Sequence, residues 1–365
     1  VMSGRIFLFD CPATPLSHLR PSGEVPLEAT LYLTRACNLN CAHCYFDAGR
    51  PMLHELSTAE WLSVIDQLWD LGFEVFYFLG GEPLLRPDLP HLLKYAKRLG
   101  AYNALSTNGI LAERVAPRLA GLIDEVQVSL DGSSPDINDP IRGPGSFKHA
   151  VNAVKVFKAL GVRVTLSYTV TKLNLNDDFE RYVKLAEELG VDAVNFAPAV
   201  NFGRAAKNKL APGVEESRGV LERLLSIKSS VAITFSGFRF ALPDLIKAAE
   251  EARRIANSLY RSCPAGVYRL VVFPNGDVYG CELLTAYRAG NVRRRRVRDM
   301  WEEGLKPLRS MTIPKLCSYC PIVDICQGGC PARRYAELGR LDAPDPLCTL
   351  AVNRSFDKYL YTPKR

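Results

Sequence analysis

Three cysteines stand close together in the segment RACNLNCAHCYF, at Cys37, Cys41 and Cys44, directly after a stretch that is typical of a buried strand. Their C-x3-C-x2-C spacing places three thiolate ligands on one short loop. A structural zinc site takes four ligands, and His43 lies between two of these cysteines. An iron-sulfur cubane takes one cysteine per iron, so three cysteines leave one iron open to a small molecule. The spacing predicts a metal centre and by itself leaves both metals open.

Polar or glycine-rich segments end the three predicted strands that follow this loop. They are Gly80-Gly81-Glu82-Pro83, Ser106-Thr107-Asn108-Gly109 and Ser129-Leu130-Asp131-Gly132. Ligands of β/α folds gather at the carboxyl ends of the strands. Turn chemistry accounts for any one of these segments taken alone. Together, and after a three-cysteine loop, they predict a ligand site.

A second group of cysteines occupies the C-terminal part of the chain, where seven of the eleven cysteines fall. Four of them have the spacing C-x2-C-x5-C-x3-C. A zinc ribbon is one interpretation, because C-x2-C pairs in reducing compartments usually bind zinc. The seven are Cys263, Cys281, Cys317, Cys320, Cys326, Cys330 and Cys348.

The elements that position these residues alternate between strand and helix. Apolar strands are predicted at 29–34, 73–80, 101–107, 124–132, 162–170 and 192–198. Helices are predicted between them, and Ser57 with Glu60 forms a capping box at the start of the first. Six β/α units with strands buried on both faces predict a partial (β/α)6 TIM-like barrel of the α/β class, because a closed barrel needs eight.

The pattern changes to predicted helices from about residue 205 through about residue 260, and the cysteine-rich tail follows. We therefore expect an N-terminal extension at 1–27, the partial barrel at 28–235 and a small auxiliary domain at 236–365.

Composition excludes several classes of protein. A chain of 365 residues with 47% hydrophobic content can bury a full core, which argues against disorder. No signal peptide and no long apolar run is visible, so we expect a cytoplasmic protein without a membrane partner. The net charge of +7 is modest, and no nucleic-acid partner is expected. The basic run at 293–298 is either a solvated surface or a contact for a phosphate or partner.

The first cysteine loop and the strand ends together resemble the radical S-adenosylmethionine enzymes over roughly residues 28–205, since their signature is C-x3-C-x-Φ-C followed by G-G-E. The resemblance implies that Cys37, Cys41 and Cys44 hold a 4Fe-4S cluster whose open iron binds S-adenosylmethionine. It also implies further cofactor contacts: His43 near the adenine, a methionyl-amine site at Gly80, Gly81 and Glu82, and strand-end contacts at Asn108 and Ser129.

The tail, with its flank Gly328-Gly329-Cys330-Pro331, resembles the SPASM extension of that family. This implies two auxiliary 4Fe-4S clusters, and so three clusters in all. By resemblance, one auxiliary cluster has the ligands Cys263, Cys281 and Cys330, and the other has Cys317, Cys320, Cys326 and Cys348. The first then has only three thiolates, because 250–262 contains no cysteine. Cys11 is unassigned, and the fourth ligand stays open.

The activity implied by the resemblance is reductive cleavage of S-adenosylmethionine to a 5'-deoxyadenosyl radical, which abstracts hydrogen from a peptide or protein side chain. Glu282, next to Cys281, is the candidate proton acceptor, with a surface or hydrogen-bonding role as the alternative. An electron donor such as ferredoxin or flavodoxin is implied. One alternative function is modification of tetrapyrrole side chains, in the heme or heme d1 pathway. Another is a non-catalytic iron-sulfur electron carrier.

Peptide-modifying members of the family often carry a leader-binding domain before the barrel. Here the first predicted strand begins at residue 29, so we expect any leader to need a separate leader-binding protein. The substrate, the bond formed, the fate of S-adenosylmethionine and the oligomeric state do not follow from these residues.

Overall fold

A computed structural model describes residues 6–8, 27–238, 263–320 and 323–348. Cys11, most of the predicted N-terminal extension and the helices predicted across 239–260 lie outside the described residues. The strands are β1 Ile6–Leu8, β2 Leu27–Tyr32, β3 Phe73–Leu79, β4 Tyr102–Thr107, β5 Glu125–Ser129, β6 Arg163–Val170, β7 Ala193–Pro198, β8 Ala232–Phe235, β9 Arg269–Val272, β10 Asp277–Tyr279 and β11 Gly290–Asn291.

Helices connect the strands in the barrel and dominate the end of the described chain. They are α1 Thr58–Trp69, α2 Leu89–Leu99, α3 Ala112–Val115, α4 Pro135–Arg142, α5 Ser146–Ala159, α6 Phe179–Glu188, α7 Gly203–Lys207, α8 Val214–Leu225, α9 Val297–Asp299, α10 Lys306–Arg309, α11 Val323–Cys326 and α12 Pro331–Leu338. Short 3-10 or π turns lie at Pro83–Leu85, Ala116–Leu119, Met300–Gly304 and Lys315–Tyr319.

The strands form one sheet in the order β1-β8-β7-β6-β5-β4-β3-β2-β9-β10-β11. Every pair from β1 to β9 in that order is parallel, and only β9-β10 and β10-β11 are antiparallel. The six predicted strands are β2 to β7, so the prediction of a parallel α/β partial barrel is confirmed. The parallel run extends beyond them at both edges.

Two local predictions were wrong. The segment after residue 205 was expected to be helical, but it contains β8, a four-residue apolar run too short for periodicity to separate from a helix segment. The single helix predicted between the strands at 101–107 and 124–132 is instead a turn of α-helix, Ala112–Val115, followed by a 3-10 turn, Ala116–Leu119. Pro117 in this segment has no N–H to continue the α-helical ladder.

The helices cover the outer face of the sheet with apolar side chains. In α1 the buried residues are Trp61, Val64, Ile65 and Leu68, the i, i+3, i+4, i+7 stripe of an amphipathic helix. The predicted capping box is confirmed: the Glu60 N–H donates to Ser57 Oγ and the Ser57 N–H to the Glu60 carboxylate. The main hydrophobic core therefore lies between the helices and the outer face of the sheet. The inner face carries smaller apolar clusters together with polar residues.

The C-terminal region is joined to the barrel through the sheet. Strand β9 pairs in parallel with β2, with Thr30 opposite Val271. Cys263 precedes β9 and Cys281 follows the antiparallel β10, so both lie toward the amino end of β9. Within the described ranges, no helix combines the length and apolar character that crossing a membrane requires.

Candidate functional site

The first cysteine loop leaves the carboxyl end of β2 and is fixed to the end of β3 by backbone hydrogen bonds. The Gly81 N–H donates to Thr34 O at 2.7 Å, and the Glu82 N–H donates to Ala36 O at 2.8 Å. The Cys37 N–H donates to Gly49 O at 2.9 Å, which closes the loop on itself. The loop is therefore attached to the sheet before any ligand binds.

Gly80 and Gly81 are required by this attachment. A Cβ at Gly81 would lie 2.6 Å from both Arg35 O and the Ala36 carbonyl carbon, and a Cβ at Gly80 would lie 3.0 Å from Thr34 N. We expected these glycines to admit a ligand. They line the cavity described below, but their lack of a side chain serves first to admit the backbone of the cysteine loop.

Arg204, at the start of α7, holds the opposite side of the loop. Its Nε–H donates to Cys41 O at 2.7 Å and its Nη1–H donates to Ala48 O at 2.8 Å. It also forms an ion pair with Asp47 at 3.0 Å. The loop is thus held by hydrogen bonds to β3 on one side and to α7 on the other, which keeps its three thiols close together.

The thiols have environments suited to metal ligation. The Leu39 N–H donates to Cys37 Sγ and the Ala48 N–H donates to Cys44 Sγ, both at 3.4 Å. Burial raises the pKa of Cys37 to about 11 and also raises the pKa of Cys41. Buried thiols of this kind become thiolates when cationic metal compensates their charge.

His43 lies between these cysteines and is buried. Its Nε2 is 3.3 Å from Asp131 Oδ2, and that carboxylate forms an ion pair with Arg142 Nε at 2.6 Å. Burial lowers the pKa of His43 to about 4, so the imidazole is neutral. His43 and the three thiols do not form a Cys3His site for a single ion, because no three His, Cys, Asp or Glu side chains of the described residues have that geometry. Three thiols with one open position fit a 4Fe-4S cluster.

Glu82 is completely buried behind the cysteine loop. Its carboxylate accepts hydrogen bonds from Thr107 Oγ1 at 2.7 Å and from the Asn108 N–H at 2.8 Å. Burial raises the pKa of Glu82 to about 7. The Asn108 amide in turn donates to Asn38 Oδ1 at 2.7 Å. Glu82 therefore ties the ends of β3 and β4 together beneath the loop.

A cavity of about 370 Å³ is lined by many of the predicted site residues. Its lining includes all three thiols of the first loop, and it extends along the inner face of the sheet to the C-terminal cysteines. Of the residues predicted to contact the cofactor, His43, Gly80, Gly81, Asn108 and Ser129 line it, and Glu82 does not.

Three C-terminal cysteines reach the same cavity. Cys263, Cys281 and Cys330 line it together with Glu282. Glu282 is partly buried, and within the described ranges no hydrogen bond or ion pair to its carboxylate is found. The first loop lies at the carboxyl end of β2, whereas Cys263 and Cys281 lie toward the amino end of β9. The cavity therefore separates two sets of thiols.

The remaining four cysteines form a group outside this cavity. Cys317 is influenced electrostatically by the other three, and burial raises its pKa to about 12. Considering only the described residues, no three His, Cys, Asp or Glu side chains have the geometry of a site for a single metal ion. The assignment of cluster ligands remains a prediction. The group consists of Cys317, Cys320, Cys326 and Cys348.

Asp345 organises the backbone around these cysteines. Its carboxylate accepts from the Cys330 N–H at 2.7 Å and from the Leu347 N–H at 2.9 Å, and it pairs with the buried Arg333. Neither residue was predicted. Their only sequence signal is that they are charged residues close to ligand cysteines.

Polar residues on the inner face of the sheet were also missed. Their signal was present: polar residues alternate with apolar ones in strands that are otherwise hydrophobic, as in RVTLSYTV. The missed residues that line the cavity in this way are Thr30, Tyr32, Gln127, Ser167 and Thr169.

The basic run 293–298 is largely neutralised on the surface. Its ion pairs are Arg293 with Glu60, Arg295 with Glu303, Arg296 with Asp299 and Arg298 with Glu302. This arrangement favours the solvated-surface interpretation.

Family comparison matches residues 31–186 to the Radical SAM superfamily and residues 263–321 to SPASM, an iron-sulfur cluster-binding domain. The AdoMet-dependent heme synthase of Oleidesulfovibrio alaskensis is 31% identical over 339 residues, covering 87% of this chain and 85% of that protein. The mycofactocin maturase MftC of Mycolicibacterium smegmatis is 32% identical over 340 residues, covering 89% and 83%.

Solved structures share the fold. SuiB of Streptococcus suis bound to S-adenosylmethionine superposes with a TM-score of 0.70 at 19% identity, covering 89% of this chain and 78% of SuiB. Native anSMEcpe with bound AdoMet superposes with a TM-score of 0.71 at 20% identity, covering 88% and 94%. The family resemblance predicted from the two cysteine patterns is confirmed.

Proposed function

This chain belongs to the radical SAM superfamily and carries a SPASM domain, and on that premise we propose that it modifies a peptide or protein side chain by hydrogen abstraction. It is an enzyme that uses S-adenosylmethionine and iron-sulfur clusters. The alternative of a non-catalytic electron carrier is therefore not retained. Its relatives include both a heme synthase and a mycofactocin maturase, and the charge of the cavity favours one substrate class over the other.

The cofactor assignments follow the residues described above. We propose that Cys37, Cys41 and Cys44 hold the cluster that binds S-adenosylmethionine, with His43, Asn108 and Ser129 against the nucleoside. When bound, the cluster and S-adenosylmethionine together would supply one-electron cleavage of the sulfonium and a radical that abstracts hydrogen. The Gly80-Gly81-Glu82 segment would position the methionyl amine. The proposed auxiliary ligands are Cys263, Cys281 and Cys330 for one cluster and Cys317, Cys320, Cys326 and Cys348 for the other.

The charge of the cavity lining is the observation that carries the peptide proposal. Every arginine lining it is already paired with a carboxylate of the chain, and the lining includes no lysine among the described residues. A heme-pathway tetrapyrrole carries several carboxylates and would meet no unpaired cation there. The pairs are Arg142 with Asp131, Arg204 with Asp47, Arg269 with Glu28, and Arg333 with Asp345.

Glu282 is the carboxylate that the lining leaves unengaged within the described ranges, and it stands beside Cys281 at the far end of the cavity. We propose that, after a hydrogen atom is abstracted from the substrate, Glu282 accepts the proton that the substrate radical loses. The remaining electron would pass to the iron-sulfur cluster that Cys263, Cys281 and Cys330 would hold. A negative charge at this point suits a neutral or cationic side chain and opposes a polycarboxylate.

We further propose a cytoplasmic location, because a reducing compartment keeps the cysteines proposed as cluster ligands available for iron. The proposed partners are an electron donor such as ferredoxin or flavodoxin and, where the substrate has a leader, a separate leader-binding protein.

The experiment compares substrates directly. Anaerobically reconstituted enzyme is incubated with S-adenosylmethionine, reductant and either peptides encoded by adjacent genes or iron coproporphyrin III. Loss of hydrogen mass from a peptide is expected. Loss of propionate carboxylates from the porphyrin, with peptides unchanged, would replace the proposal by the tetrapyrrole alternative.

Glu282→Gln tests the proton acceptor within the same assay. We expect 5'-deoxyadenosine formation to persist while modified product forms about a hundredfold more slowly, the lower end of the range for loss of a general base. Glu303→Gln, at a carboxylate that is 77% exposed, is the matched control and should behave as the unaltered enzyme. Unchanged turnover of Glu282→Gln would make that residue structural.

A further inference from the structure

Arg334 is a large charged side chain that is buried in the C-terminal region. It lies in α12, one turn after Cys330, and its N–H donates to Cys330 O at 3.1 Å. Only 2% of the residue is exposed. Because a guanidinium remains protonated in proteins, a full positive charge is buried here.

The hydrogen bonds of this guanidinium are made to neutral groups. Its Nη1–H donates to Leu341 O at 2.6 Å and to Ala343 O at 3.3 Å. Its Nε is buried without a hydrogen-bond partner within the described ranges. The neighbouring Arg333 differs, because it pairs with Asp345 at 2.7 Å. Asp345 also lies close enough to act on Arg334, but it is the single carboxylate shared by two buried arginines. One positive charge is therefore left over, and a buried cation requires further negative charge nearby.

Cysteines of both C-terminal sets lie within electrostatic range of Arg334. Cys330 is on the preceding turn of the same helix, and the charge of Arg334 acts on Cys263 and on Cys317 as well. On the side of Cys317, Arg334 Nη2 reaches Met311 Sδ at 3.9 Å, and the Cys317 N–H donates to Pro314 O. A Cβ on Gly328 would lie 2.6 Å from Pro314 Cδ and 3.3 Å from Arg334 Nη1. The guanidinium therefore lies close to the segment that leads to Cys317 as well as to the helix that follows Cys330.

We infer that Arg334 is a counter-cation shared by the two auxiliary cluster sites, which compensates the negative charge of thiolate-ligated clusters and raises their reduction potentials. This inference rests on the auxiliary ligands assigned under the proposed function. Reduction adds negative charge to a cluster, and a buried positive charge favours the reduced form through a low-dielectric interior. The unpartnered Nε–H is a donor available to sulfur, and hydrogen bonds to sulfur also raise cluster potentials.

The test measures the auxiliary clusters alone. In the full chain, Cys37, Cys41 and Cys44 are replaced by Ala, the protein is reconstituted anaerobically, and electron paramagnetic resonance follows cluster reduction at poised potentials. For Arg334→Met we expect the ratio of reduced to oxidised cluster to fall about tenfold at a given potential, which is about 59 mV for a one-electron couple. Arg334→Lys keeps the charge and should retain most of the ratio.

Arg340→Met is the matched control, because it removes an equal charge nearby from a side chain that is 46% exposed. Solvent screens that charge, so the ratio should stay unchanged. An unchanged ratio in Arg334→Met with full auxiliary iron overturns the inference. If Arg334→Met does not take up iron, Arg334→Lys decides: native iron and ratio support the inference, and loss of either overturns it.

Iron uptake by the variant without Cys37, Cys41 and Cys44 tests the proposed function separately from the role of Arg334. If the radical-loop variant itself takes up no auxiliary iron while the unaltered chain binds one cluster, the ligand assignment is wrong, whatever Arg334 does.

Discussion

Gly81→Ala is predicted to detach the first cysteine loop from the sheet. The added Cβ would lie 2.6 Å from the Ala36 carbonyl carbon and from Arg35 O, and closer still to Ala36 O. Real Cβ atoms essentially never approach below 3.0 Å, so the loop must move by more than about 0.4 Å. All three clashing atoms are backbone atoms, and no side chain can turn away to make room.

The magnitude follows from what this movement disturbs. The hydrogen bonds from Gly81 N–H to Thr34 O and from Glu82 N–H to Ala36 O lie at the point of contact. Each contributes about 1 kcal/mol net, and overpacking costs about 1–3 kcal/mol. We therefore expect the free energy of unfolding to fall by about 3–5 kcal/mol.

Urea denaturation of the iron-free protein under anaerobic conditions measures this loss, and iron content after reconstitution measures its effect on the site. Gly219→Ala in α8 is the matched control, because a Cβ there meets nothing within 4 Å. Its higher helix propensity should leave stability unchanged or raise it by up to about 1 kcal/mol. Equal stability and equal iron in Gly81→Ala and the unaltered chain would refute the proposed attachment of the loop.

Three further predictions concern the framework of the site. Arg204→Met removes the donor to Cys41 O and should reduce iron bound at the first loop, measured by comparing iron content with that of the Arg204→Lys variant. Arg269→Met leaves Glu28 buried without its partner and should cost about 3–5 kcal/mol in urea denaturation, whereas a double variant with Glu28→Met should recover most of the loss. Burial raises the pKa of Glu125 in the folded state, so its contribution to stability is complete below the unfolded value of about 4.5 and is lost as pH rises through the raised folded value. Glu125→Gln should therefore gain stability relative to the unaltered chain as the pH rises above about 4.5, and a pH-independent difference would contradict that reasoning.

Local sequence signals were enough for the six central β/α units and for the grouping of the first cysteines. Apolar strands and the Ser57 capping box are encoded within a few residues of where they form. The same holds for Cys37, Cys41 and Cys44, which a single loop brings together. These features need no knowledge of distant contacts.

Contacts between residues far apart in the sequence could not be predicted from such local signals. The parallel pairing of β9 with β2 brings Cys263 and Cys281 to the cavity across more than half of the chain, and nothing in either strand specifies its partner. The burial of Glu82 depends in the same way on Thr107 and Asn108 from another strand. Short elements such as β8 carry too few residues for a periodicity to appear.

The central claim is that three thiols on the first loop hold the cluster at which S-adenosylmethionine is cleaved. The most direct measurement is 5'-deoxyadenosine formed by anaerobically reconstituted enzyme with dithionite, compared with a variant in which Cys37, Cys41 and Cys44 are all Ala. Formation by the unaltered enzyme and its complete loss in the variant, with auxiliary iron retained, are predicted. Continued formation of 5'-deoxyadenosine by the variant would contradict the account.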